Sequence, residues 1–156
     1  MSIKPDNFLA LEPLIITRLV ERLDCKIRIL SAADLGRVAE NQQPVPSVAV
    51  LYGGYNVSPQ PTSGQRGAVG TRQTWMSVVC TRNVTSISGA EARLSVGAIA
   101  AAVIDALQGW RAGDGFGPLA LTNGASAEFV NGLFYLPLAW DAPVRNYLSC
   151  NEEAQP

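Results

Sequence analysis

Hydrophobic positions recur with two periods along the chain, and the switches between them lay out its elements. Ile16, Leu19, Val20 and Leu23 fall at i, i+3, i+4 and i+7, while Thr17, Arg18, Glu21 and Arg22 take the opposite arc. That spacing predicts an amphipathic helix over residues 11–23 with one buried face. Pro13 is tolerated in its first turn, where a missing N–H removes no intrahelical bond. Lys26-Ile27-Arg28-Ile29 then alternates polar and apolar, the period of a half-exposed strand. Ser31 and Asp34 have capping-box spacing and open a short helix through Leu35, Val38 and Ala39, which Pro44 and Pro46 stop. Val48–Tyr52, β-branched and aromatic between Pro46 and Gly53-Gly54, reads as a buried strand.

Residues 57–70 break the pattern. Pro59, Pro61, Gly64, Gly67 and Gly70 accompany a single charge, Arg66, so the segment has little with which to order itself and is expected to be a loop that docks on something. Thr71–Arg82 follows as a long strand, ~40 Å at ~3.3 Å per residue. Its Arg72/Thr74/Met76/Val78/Cys80 and Gln73/Trp75/Ser77/Val79/Thr81 faces are both partly apolar, so neither is simply a solvent face. Strand, loose loop and strand together predict a projecting β-hairpin arm.

The strongest helical pattern covers residues 88–108. Ser88 and Glu91 form an S-x-x-E capping box; Val96, Ile99, Val103 and Leu107 make the stripe; Gly109 is placed to cap the end. Gly97, Ala98, Ala101 and Ala102 leave the other faces small and uncharged, which implies cover on more than one side, from the chain's own sheet and first helix or from another subunit. Further on, Leu119–Thr122 reads as a short strand, and Ala127–Val130 and Leu133–Trp140 flank Asn131-Gly132, a two-residue hairpin turn. Pro137 places an edge or a bulge in the second run. Beyond Asp141, residues 142–156 read as a tail anchored only by Tyr147 and Leu148.

Composition narrows what such a chain can do. Its 156 residues suit a single domain spanning 1–156. Twelve basic against 13 acidic side chains give a net charge of −1, which excludes a polybasic nucleic-acid binder. Histidine is absent, which removes Ser-His-Asp and Cys-His catalysis and every histidine-bearing metal site. Cys25, Cys80 and Cys150 are odd in number and widely spaced, as expected of reduced packing cysteines and not of a disulfide framework or zinc site. The apolar run Val96–Leu107 is interrupted by Asp105 and is short of a membrane span. The start of the sequence shows no signal-peptide pattern, so a soluble protein is expected.

Catalytic chemistry has little to draw on. Gly113-Asp114-Gly115-Phe116-Gly117 lacks the strand before it and the Lys-Ser/Thr of a phosphate loop, and reads as a turn. Lys4 and Lys26 are the only lysines a Ser–Lys dyad could recruit. The expectation is therefore a protein that is not an enzyme and holds no cofactor or metal. Ten of the 12 basic residues are arginine, the residue that forms rigid forks at protein interfaces. Arg66, Arg72 and Arg93, with Trp75 and Trp110, are the interaction candidates.

The order helix, strand, short helix, strand, loose loop, long strand, small-residue helix and terminal hairpin resembles the tail terminator (tail-completion) proteins of long-tailed bacteriophages, of the lambda-type and Mu-like families. The resemblance is carried by residues 73–83 (QTWMSVVCTRN), 96–110 (VGAIAAAVIDALQGW) and 132–138 (GLFYLPL), and spans roughly residues 8–141. It implies an α+β fold, a twisted, mainly antiparallel sheet with helices 11–23 and 88–108 packed on one face. It implies a structural protein of the virion tail or neck, made in the host bacterial cytoplasm, forming a hexameric ring. Such a ring ends tail-tube polymerisation, partners the tail tube protein and the head-tail connector or stopper, and lets DNA through its lumen without specific binding. The alternatives are another head–tail joining or stopper adaptor, or a small-ligand-binding α+β domain.

Overall fold

The computed structural model describes residues 7–38, 43–57, 68–82 and 89–147. Three helices and six strands follow in the order α1 (Leu11–Arg22), β1 (Arg28–Ser31), α2 (Ala32–Arg37), β2 (Ser47–Val57), β3 (Ala68–Arg82), α3 (Gly89–Leu107), β4 (Ala120–Thr122), β5 (Glu128–Val130) and β6 (Leu133–Tyr147). The fold is α+β. One sheet runs β1-β2-β3-β6-β4, with β5 paired to the far end of β6. Only the β1–β2 pair is parallel, bridged by α2; the other pairings are antiparallel.

The central ladder joins β3 and β6 without a break, from Arg82 opposite Leu133 to Ala68 opposite Tyr147. Paired residues share a face, so period-two alternation on β3 sorts the whole sheet. Thr71, Gln73, Trp75, Ser77, Val79 and Thr81 point to the side covered by α1 and α3 and are all buried. Val48 and Val50 from β2, and Trp140, Ala142 and Val144 from β6, complete that face of the core.

On α1 the buried stripe is Leu11, Ile15 and Leu19, continued by Leu23 at the cap, while Val20 is exposed. The face is thus rotated from the one expected through Val20, because α3 and the sheet both crowd the Leu11–Ile15 side. α3 buries Val96, Ile99, Ala100, Val103, Ala106 and Leu107. Its Gly97, Ala98 and Ala101 are exposed in the subunit, so the chain itself covers one side of this helix. It stops where expected: Gly109 has φ +73° and donates its N–H to the Leu119 carbonyl at 2.8 Å. The Ser88/Glu91 cap lies outside the described residues. α2 is opened by the expected capping box, with Ser31 Oγ accepting from the Asp34 amide and the Asp34 carboxylate accepting from Ser31. It ends at Arg37, before Val38, and Ala39 lies outside the described residues.

Three strands exceed their expected bounds. β2 runs on past Gly53-Gly54 to Val57, and β3 begins at Ala68, so only residues 58–67 of the expected loop lie outside the described residues. β6 does not end near Asp141: it continues to Tyr147, and Ala142 and Val144 are core residues. The segment expected as a tail is therefore in part an interior strand of the sheet, and the arm carries three strands where a two-stranded hairpin was expected. Pro137 and Pro143 are tolerated because residues of their parity direct backbone groups away from β3, as Arg145 shows by donating its N–H to the Gly115 carbonyl. Pro137 thus faces the gap where β5 has ended and β4 has not begun, the edge position in which proline removes no ladder bond. The Asn131-Gly132 turn forms as expected, with φ 50° and 76°, the type I′ signature.

Candidate functional site

A single rung crosses four strands on the helix-covered face. Tyr52 pairs with Trp75, Trp75 with Trp140, and Trp140 with Leu121. The middle of this rung is sealed under the helices, with Trp75 at 0% and Trp140 at 1% exposure; its ends emerge at opposite edges of the sheet, Tyr52 at 38% and Leu121 at 41%. Burying two indoles requires partners for two N–H groups. Trp140 Nε1 donates to Ser77 Oγ at 2.8 Å, and Trp75 Nε1 donates to Gln73 Oε1 at 2.9 Å. The Gln73 amide in turn donates to the Phe8 carbonyl at 2.7 Å, which ties the lead-in to α1 onto the sheet.

That tie builds an aromatic cluster at the Tyr52 end. Phe8 meets Tyr55 edge-on with ring centroids 5.2 Å apart and Tyr52 at 6.4 Å; Tyr52 leans on Trp75 at 5.2 Å. Tyr52 and Tyr55 are three residues apart and would face opposite ways on a regular strand. A bulge at Gly53-Gly54 inserts one extra residue, so that Tyr52 opposes Trp75 and Tyr55 opposes Gln73 on the same side. Gly54 has φ +108°, which suits glycine, and a Cβ on Gly53 would press on Thr74 at 3.2 Å. Val57, opposite Thr71, continues the same face. At the Leu121 edge, β5 adds Phe129, exposed and 4.5 Å from Phe134.

The other face of the sheet carries Leu51, Met76, Val78 and Pro137, all half-buried. Arg72 and Asp141 close it towards the arm with a two-pronged ion pair, Arg72 Nε donating to Oδ1 at 3.3 Å and Nη2 to Oδ2. The hydrogen-bonded carboxylate pushes the guanidinium pKa up. Nearer β5, burial pushes the Cys80 thiol up, which keeps it protonated and unreactive.

The five interaction candidates do not assemble into one site. Trp75, expected as an interface anchor, is a fully buried core residue, because the helix layer covers its face of β3. Arg72 lies on the opposite face, engaged with Asp141. Trp110 follows α3 and is half-buried under Arg18, whose guanidinium carbon lies 5.6 Å from the ring centroid while Nε donates to the Ala106 carbonyl at 3.0 Å. Arg66 and the side chain of Arg93 lie outside the described residues. β3, which carries Arg72 and Trp75, is flanked by β2 and β6 and has no edge to offer. Sequence reasoning passed over Tyr52, Tyr55, Leu121 and Phe129. The signal was the glycine pair, read as the end of a strand where it marks a bulge, together with the absence of any charge from Asn41 to Gln65.

Three comparisons with known proteins bear on this arrangement. A family model described as phage tail terminator protein matches residues 5–146. A chain of the solved structure described as the virion of a native gene transfer agent (GTA) particle has a similar fold, with a TM-score of 0.55 and 19% sequence identity over 88% of this chain and 96% of that one. Among curated proteins, none matches the sequence.

Proposed function

The chain belongs to the phage tail terminator family, a family of tail structural proteins, and on that premise we propose that copies of it form a hexameric ring that caps the tail tube, ends its polymerisation and joins the tail to the head-side connector. The observation that carries this reading is the extent of the match. Residues 5–146 take in all three helices and all but the last residue of the sheet. Likeness to a chain of a phage-like virion particle supports a place in the virion, with synthesis in the host bacterial cytoplasm. The partners are the tail tube protein on one side and the connector or stopper on the other, with DNA passing through the lumen. A net charge of −1 suits a conduit that must not retain its cargo. A stopper adaptor would share the habit of oligomerising, but the family match favours the terminator.

Electron microscopy of the purified protein tests the ring: six-fold particles with a central hole are expected. A final state that is a two-fold dimer, with or without tube present, would refute it. Tubes polymerised from the cognate tube protein should stop growing when this protein is added, with extra density at one end.

A further inference from the structure

We propose that the two exposed ends of the Tyr52–Trp75–Trp140–Leu121 rung are the two halves of one subunit interface, the Tyr52/Tyr55 edge of one copy seating against the Leu121/Phe129 edge of the next. The proposal rests on the ring reading and names the surfaces that would close it.

Closing a ring requires a heterologous contact, in which one patch meets a different patch on the next copy. The rung supplies two such patches by construction, because both ends project from the same layer at opposite edges of one sheet. Beyond Val50, the outer half of β2 has no strand on its free side among the described residues, since β1 pairs only with Ser47–Val50. Natural edges are guarded by charge, proline or a bulge. This chain guards the gap along β6 with Pro137, and leaves Leu51–Val57 with the Gly53-Gly54 bulge but neither charge nor proline.

Charge points to a second copy as the occupant. No residue from Asn41 to Gln65 is charged, and Glu128 is the only charge between Gly115 and Gly132. A nucleic acid would find no cation on either edge strand, and with Glu128 as their single charge the two edges match each other in being largely apolar. Tyr55, Val57 and Phe129, at 55%, 60% and 63% exposure, are aromatic and β-branched side chains of the kind that anchor interfaces when a partner excludes water. Joined end to end, the rungs of successive copies form a continuous apolar belt around the ring.

The experiment uses two variants of the full chain, Tyr55→Arg at one edge and Leu121→Arg at the other, each checked for an unchanged thermal midpoint; Tyr55→Ser and Leu121→Ser replace them if arginine disturbs folding. Sedimentation velocity should show rings for the unaltered chain. Each variant alone should remain monomeric at concentrations at least 100-fold above those at which the unaltered chain assembles. An equimolar mixture at several hundred micromolar should give a heterodimer and nothing larger, because one intact junction remains and the other is broken. Rings from either variant alone, or a mixture that stays monomeric, would overturn the assignment of these edges while leaving the ring reading intact. An unaltered chain that never assembles, alone or on tubes, would overturn both.

Discussion

The two halves of β2 are alike in carrying no charge and opposite in fate. From Ser47 to Val57 the strand is uncharged, rich in β-branched and aromatic residues, and paired to β3 along its length. Yet Val48 and Val50 are wholly buried, whereas Tyr55 and Val57 stand in solvent. The bulge does not make the difference, because it keeps Tyr55 and Val57 on the face of Val48 and Val50. The inner half lies under α1, beside β1 and α2; among the described residues, the outer half has only the Phe8 segment across it. Burial is decided by what the rest of the chain places overhead, and the outer half carries apolar side chains that the monomer does not use.

The largest effect should come from the rung where the two halves meet. Trp75→Ala should lower the unfolding free energy by about 3–5 kcal/mol in chemical denaturation, since the indole is fully enclosed. Gln73→Ala should come next. Loss of the carboxamide leaves the Phe8 carbonyl and the Trp75 N–H without partners, for about 1–3 kcal/mol. It should also release the Phe8 segment, visible as faster amide exchange in residues 7–10.

Deleting Gly54 addresses the comparison more directly. Removal of the extra residue places Tyr55 two positions after Tyr52, so Tyr55 and Val57 should keep their face on a regular strand while the inner half keeps its register, with a stability change within about 1 kcal/mol. Nuclear Overhauser contacts between Phe8 and Tyr55 should persist; their disappearance would show that the extra residue lies elsewhere in the strand. Val57→Ser should alter monomer stability by less than about 0.5 kcal/mol, in contrast to Val50→Ser, which belongs to the core.

The smallest effect concerns α2, which flanks the inner half alone. The Ser31 amide, and then its hydroxyl, hold the Asp34 carboxyl below its ordinary value of 3.8. A depressed folded value means that the cap contributes fully above the ordinary value and is lost as pH falls through the folded one. The Ser31 amide proton resonance should therefore titrate below pH 3.8, and Asp34→Asn should abolish that titration.

Where local chemistry sets local structure, the sequence was readable: the Ser31/Asp34 box, Gly109 at the end of α3 and the Asn131-Gly132 turn all form as expected. The misreadings fall where a breaker residue has been accommodated by tertiary pairing. Asp141 and Pro143 look like the end of a strand, but the carboxylate is paired with Arg72 and the proline's missing N–H points away from β3. Gly53-Gly54 looks like a turn and is a bulge. The rung failed to show for a related reason: register aligns its four residues from four strands, and no local window contains more than one of them.

The long β3–β6 ladder also sets a timetable. β6 follows in the chain every strand it pairs with, and Trp75 waits for Trp140, 65 residues later (140 − 75). Such non-local pairing is slow to nucleate, because the loop must close before any contact rewards it. Until β6 emerges, β4 has nothing to pair with and the Leu121 edge does not exist. A nascent chain can thus display at most one of the two edges, and a truncation ending at Gly132 should neither fold nor poison assembly of full-length chains in co-expression. Synthesis of β6 becomes a checkpoint, since only a molecule that holds it can carry both edges at once.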